Sequence, residues 1–299
     1  MTAVTMVDPP PATSSDPISS LPACNEPVFH NIPSAEHAPL RSIRSRQQTN
    51  PDNVIAHLQR AVSARDGHEI ALLSVGEAAR LFAAVLGPLG KAALRQSRSG
   101  SIFATKFRTP TRRFGAIASG TSTRLYALLA ILEEWQLMIR MWGLFDMWLS
   151  AKEVIQEKLM GKNRTLADVL DTSIATLQTV SMTTFHICEA VTCLSQAKVL
   201  SWSPEHQGKF MGWAARFWAT FTFIEVARHL FEWSRKEPSD EDYVEWRDQW
   251  KSEFFRNLAW APYTIHWSMP DGFLPDFLLG VFGLYPSLSI WRDIWQATA

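Results

Sequence analysis

Residues 69–86 decide the fold: Glu69-Ile70-Ala71-Leu72-Leu73-Ser74-Val75-Gly76-Glu77-Ala78-Ala79-Arg80-Leu81-Phe82-Ala83-Ala84-Val85-Leu86. On a helical wheel Ile70, Leu72, Val75, Ala78, Ala79, Leu81, Phe82, Val85 and Leu86 fill an arc of roughly 200°, leaving Glu69, Gly76, Glu77 and Arg80 a narrow remainder. An apolar face this wide suits a helix at the centre of a core or a helix that faces lipid. Gly87-Pro88 is expected to stop it. Upstream, Asp66-Gly67 is expected to divide it from an earlier helix starting at Asn50-Pro51-Asp52, where a capping residue precedes a first-turn proline. Val54, Ile55, Leu58, Ala61 and Val62 follow helical spacing there, so 52–90 reads as amphipathic helices.

Working toward the N-terminus, residues 1–51 are dense in Pro and Ser and poor in large apolar side chains. Such a segment buries too little surface to offset its ordering entropy, so a disordered leader is expected. Toward the C-terminus, 91–120 reads as a polybasic loop. From Lys91 through Leu132 there is no acidic residue, whereas Lys91, Arg95, Arg98, Lys106, Arg108, Arg112, Arg113 and Arg124 are basic. Leu94, Ile102, Phe103, Phe107 and Phe114 stand among them, interrupted by Gly100 and Pro110. Basic side chains beside an anionic leaflet contribute about 1 kcal/mol each, and aromatic ones seat at the head groups. A solvated loop without a partner fits the same residues.

Four longer helical patterns follow, over 121–159 with a break near Gly143, 166–200, 205–235, and 243–267 with a kink at Pro262. The tail 273–295 completes the series, and Pro238-Ser239-Asp240 marks a stop and restart. No period-two alternation appears, so the expected fold is all-α, with 121–299 forming long membrane-associated helices. No eighteen-residue stretch is both uniformly apolar and free of charge. The segments 174–194, 210–231 and 273–290 come nearest, and the last, with Asp276 alone, is the best spanning candidate. Its Gly280 and Gly283 share a face that admits close helix approach.

The charges inside these apolar patterns need partners. Glu225 shares a face with Arg228 and His229, and Glu133, Gln136 and Arg140 form a polar stripe. Arg216 faces away from Glu225 and requires a partner on another helix. Glu189 is expected to pair with Arg140 or Arg216 inside a bundle.

Composition limits the function classes. The chain of 299 residues has zero formal net charge, 46% hydrophobic and 19% charged residues, thirteen Trp and seventeen Phe. Those aromatics suit a large core or a bilayer interface. Nothing global points to nucleic acid, and the basic segment carries no reader motif. Cys24, Cys188 and Cys193 make neither a disulfide framework nor a zinc spacing, which favours a reducing compartment. No secretory signal is visible, and the ending Ala297-Thr298-Ala299 is not the Ser-Lys-Leu peroxisomal matrix address. Neither His186 with Glu189 nor Glu225 with His229 has the Glu-x-x-His spacing of a di-iron bundle. No nucleophile elbow, P-loop or dinucleotide fingerprint occurs. No enzyme activity, metal or cofactor is therefore expected.

Several segments taken in order resemble the fungal peroxin-eleven family, in its divergent branch peroxin 11C. They are Arg140-Met141-Trp142-Gly143-Leu144, then Phe185-His186 with Glu189, Leu194 and Val199-Leu200. Trp213, Arg216-Phe217-Trp218 and Glu225 follow, then Asn257, Pro262, His266, Trp267, Ser268, Gly272, Gly280 and Gly283. Ala214-Ala215, Pro286 and the long leader depart from the family pattern. The resemblance implies an integral or tightly bound peroxisomal membrane protein that sets peroxisome size and number by elongation, proliferation and fission. It implies membrane lipids, self-association and other peroxins or fission machinery as partners. Ile70, Val75, Phe82, Val85, Phe103 and Phe107 would then insert into the membrane, and Lys91, Arg95, Arg98, Lys106, Arg108, Arg112 and Arg113 would meet head groups. A pore for small metabolites and a soluble helical adaptor are the competing readings.

Overall fold

The computed structural model describes residues 51–98, 108–159, 166–236 and 243–298, and every regular element among them is helical. The elements are α1 (Pro51–Ser63), α2 (Arg65–Arg98), α3 (Arg108–Arg140), α4 (Gly143–Glu153), α5 (Leu166–Gln196), α6 (Pro204–Arg235), α7 (Tyr243–Ser268) and α8 (Asp276–Ala297). A π-helical turn, Val154–Leu159, extends α4. The leader over 1–50 and the separator Pro238-Ser239-Asp240 lie outside the described residues.

Most boundaries follow local chemistry. Ser203 caps α6, its hydroxyl accepting from the His206 amide at 3.4 Å, with Pro204 in the first turn. The first long helix breaks at Met141-Trp142, and a Cβ on Gly143 would lie 2.7 Å from His186 Cε1. The fifth helix ends at Gln196, not at 200. There Lys198 turns left-handed (φ 63°), and the amides of Val199 and Leu200 fold back onto the Leu194 carbonyl.

Three expected interruptions fall elsewhere. The break between α1 and α2 is at Ala64, and Asp66-Gly67 sits inside α2. Gly67 is there for closeness, since a Cβ on it would come within 1.8 Å of the Ala61 carbonyl oxygen. Gly87-Pro88 does not stop α2, which continues to Arg98, and α3 already begins at Arg108. The described parts of the expected polybasic loop are therefore helix. A proline removes one backbone bond and strains the preceding turn. The lost amide leaves the Ala84 carbonyl without its usual helical donor, and beside it the Ser122 hydroxyl of α3 donates to the Ala83 carbonyl at 2.9 Å, tying this turn to α3. Likewise α7 runs through Pro262 and α8 through Pro286 as single helices.

Helix α2 packs along α3 on one side and α8 on the other, and the sequence α8–α7–α6–α5 leads back to α3 and α4. The core lies between α5, α6, α7 and α8 and the first turns of α2. Trp218 is its centre, with ring centroids 5.5 Å from Trp260, 5.8 Å from Tyr263 and 6.3 Å from Phe185. Helix α8 reaches α2 through its glycines. A Cβ on Gly280 would lie 2.9 Å from the Leu81 backbone, and one on Gly283 2.6 Å from Glu77 Cδ. The shared glycine face read from the sequence is thus the α2 contact.

Candidate membrane interface

Helices α2 and α3 form an antiparallel hairpin whose side chains are distributed inside out. Small residues hold the two backbones together. A Cβ on Gly90 would meet the Ser119 amide nitrogen at 2.7 Å, and one on Gly115 would meet Leu94 Cγ at 2.9 Å. Ala79, Ala83, Ala118 and Ser122 are buried as well. Many of the large apolar side chains point away from the molecule: Val75, Phe82, Val85 and Leu89 on α2, and Phe114, Ile117, Leu128, Ile131, Trp135 and Met138 on α3, while Leu129 and Leu132 are buried at the seam against Gly76. Phe82 is 59% exposed, Ile117 68% and Ile131 61%. In water the hydrophobic effect would favour the reverse arrangement. In lipid, helices associate through small residues and interhelical hydrogen bonds, while large apolar groups are indifferent to being outside.

Length and composition agree with that packing. Arg65–Ser97 and Thr109–Arg140 are the described helices long and apolar enough to cross a membrane, with mean hydropathy 1.7 and 1.2 over their best windows. Only 39% and 28% of those windows are buried, less than a soluble core helix would show. From Glu69 to Gly90 the hairpin rises about 30 Å, the thickness of a hydrocarbon layer. Its connecting end carries Lys91, Arg95, Arg112 and Arg113, all exposed. Arg124 interrupts the outward stripe of α3, so in lipid its guanidinium would have to snorkel toward that basic end.

The polar remainder of α2 is buried and paired. Tyr263 donates to Glu77 Oε1 at 2.8 Å, and Arg80 donates to Glu77 Oε2 at 3.1 Å and to Glu133 Oε1 at 2.6 Å. Toward the other end of the hairpin, Arg140 Nη2 lies 3.1 Å from Glu189 Oε1, and Arg140 Nε lies 3.8 Å from Glu69 Oε1. The expected Arg140–Glu189 pair is therefore present, joining α3 to α5, while Arg216 is on the surface with its guanidinium 5.2 Å from the Trp213 ring centroid. The Glu225 face appears as read, with Arg228 Nη2 at 2.7 Å and His229 Nδ1 at 3.6 Å from Glu225 Oε2.

Asn257 and His266, the polar side chains singled out in 257–268, also have partners. Asn257 donates to the Glu253 carbonyl at 3.1 Å. His266 Nδ1 accepts from the backbone amides of both Phe273 and Leu274, each at 2.9 Å, and so holds the α7–α8 turn. That turn passes through Gly272 at φ 58°, where a Cβ would stand 2.2 Å from the His266 ring. Burial, together with the Arg80 charge, lowers the His266 pKa from its ordinary 6.5, and Asp276 opposes them. A lowered histidine pKa means that the unfolded chain takes the proton first. Stability is thus complete above pH 6.5 and falls as the pH drops from there toward the folded value. In detergent solution His266 should contribute a decline in melting temperature on acidification below pH 6.5. His266→Asn, which keeps an acceptor near the same place, should flatten that part of the profile.

The residues named from the sequence divide into groups. Val75, Phe82 and Val85 face outward as expected, whereas Ile70, 1% exposed, belongs to the protein core and is not a membrane-inserting residue. The helical wheel gives a face, but not the position of α8, which packs along its Ile70 edge. Lys91, Arg95, Arg112 and Arg113 are exposed; Phe103, Lys106 and Phe107 lie outside the described residues, as do the side chains of Arg98 and Arg108. The spanning candidates also move from 174–194, 210–231 and the tail to α2 and α3, because α2 is not stopped at Pro88 and α3 starts early. Every eighteen-residue window of α8 takes in Arg292 and Asp293. Sequence reading missed Gly90, Gly115 and Ser122 at the hairpin seam. It also missed the pairing of Glu77, Arg80 and Tyr263, signalled by two charges in the narrow polar strip of α2. Neither a family model, a curated protein nor a solved structure matches this chain.

Proposed function

We propose that this chain is a peroxisomal membrane protein that regulates peroxisome size and number by promoting membrane elongation, proliferation and fission, and that it is not an enzyme. The observation that carries the membrane part is the inside-out α2–α3 hairpin, with small residues at its seam, large apolar side chains outside and basic residues at one end. The peroxisomal part rests on the ordered resemblance to the peroxin-eleven family. In this reading the hairpin spreads lipid with Val75, Phe82, Val85 and their α3 counterparts. Lys91, Arg95, Arg112 and Arg113 hold anionic head groups, and self-association with other peroxins or fission factors concentrates the effect. The competing reading, a pore for small metabolites, draws support from the buried charges at Arg80 and Arg140.

Deleting the gene and counting and sizing peroxisomes tests the proposal. The expected result is a shifted number and size, restored by the wild-type gene, with the protein resisting alkaline carbonate extraction. An unchanged peroxisome population would remove the proliferation reading. Release into the carbonate supernatant would remove the integral-membrane one. A planar-bilayer conductance abolished by Glu189→Gln would favour the pore.

A further inference from the structure

Away from the hairpin, a cavity of about 240 Å³ opens between the first turns of α5 and the last turns of α6. Its polar lining is balanced in charge: Asp171 and Glu232 against Arg228 and Arg235. The floor is fixed, because Gln178, 8% exposed, donates to Glu225, and Arg228 is clamped by Glu225 and Glu232. The rim is not. Among the described residues Asp171 has no hydrogen-bond partner, and the Arg235 guanidinium rests 4.0 Å from the Phe231 ring centroid with its N–H donors uncommitted. Its apolar lining is Ile174, Ala175 and Phe231.

A ligand suited to this lining carries an anion for Arg235 and a cation for Asp171, with an apolar part to lie against Ile174 and Ala175. The cation is better a primary ammonium than a quaternary one. Carboxylates accept its hydrogen bonds, whereas a quaternary ammonium is held by open aromatic faces, and Arg235 already covers the ring of Phe231. Arg235, with its planar fork, is the natural partner of the phosphate. We propose that this cavity binds the phosphoethanolamine head group of a phospholipid, with the phosphate on Arg235 and the ammonium on Asp171. The site does not depend on which organelle the protein occupies or on the hairpin crossing a bilayer.

The test uses the full chain in mild detergent. It is titrated with dioleoyl phosphatidylethanolamine, with the matching phosphatidylcholine, and with soluble glycerophosphoethanolamine, following the melting temperature. Saturable stabilisation by the ethanolamine lipid, at least tenfold tighter than by the choline lipid, is expected. Arg235→Gln and Asp171→Asn should each weaken it about tenfold while leaving the unliganded melting temperature in place, since both groups are exposed. Binding of the lipid alone identifies a membrane ligand; equal binding of glycerophosphoethanolamine identifies a site for the free head group as well. Equal response to the two lipids, or a response that both substitutions leave intact, would overturn the proposal. A failed carbonate-extraction test would leave this result standing, so the two readings fall separately.

Discussion

Arg140→Gln should unfold the bundle more readily than any other single replacement of a charged residue, costing about 3–5 kcal/mol. The Arg140 side chain is 1% exposed and lies between Glu189 and Glu69, themselves 3% and 8% exposed. Removing the guanidinium strands two carboxylates away from water and from any nearer cation than Arg65. Domains of this size are stable by roughly 5–15 kcal/mol, so such a loss should be visible as a large drop in the urea or thermal midpoint in detergent. Adding Glu189→Gln should recover more than half of the loss, because the ion and its nearer counter-ion then leave together. Adding Arg216→Gln should recover nothing, since that residue is on the surface over Trp213. If the double change at Arg140 and Glu189 is as unstable as the sum of the singles, the pair does not join α3 to α5 energetically.

The second large effect concerns lipid, not folding. Phe82→Asp combined with Ile131→Asp should move the protein from the membrane pellet to the supernatant in alkaline carbonate. It should also abolish flotation with anionic vesicles. Each acidic side chain at the middle of a spanning helix costs about 2.5–3.5 kcal/mol on an insertion scale, so the two oppose insertion by roughly 5–7 kcal/mol. Both positions are exposed, and the helical content of the detergent-solubilised variant should match the wild type. Retention of the double variant in the pellet would mean that the outward stripe of α2 and α3 is not what meets the bilayer.

Much of this arrangement was legible before any coordinates. Helix limits follow proline, glycine and capping residues, whose effects are local, so α6, α7 and the break before Gly143 fall near their expected places. The Arg140–Glu189 pair was legible for a different reason: an ion within an apolar helix face demands a counter-ion, and few candidates exist. What failed depends on tertiary approach. Pro88 looked like a stop because the Ser122 hydroxyl, which ties its turn to α3, lies 34 residues along the chain on another helix. Ile70 looked like a lipid-facing residue because periodicity cannot say which edge of a broad face α8 will cover. Arg216 looked buried because its helix is apolar, yet its position turned out to be the outer side. The His266 contact with Phe273 and Leu274, by contrast, was within reach of the sequence, since Gly272 sits between acceptor and donors.

The approach of Gly280 to Leu81 sets a mechanical index. A shift of α8 along α2 by one residue would bring Leu279 or Val281 to a spot where even a methyl group lies 2.9 Å from the Leu81 backbone. That close approach resists sliding of α2 along α8. In the proposed membrane role the depth of the hairpin would therefore be geared to the whole bundle, and whatever tilts α8 would tilt α2 with it.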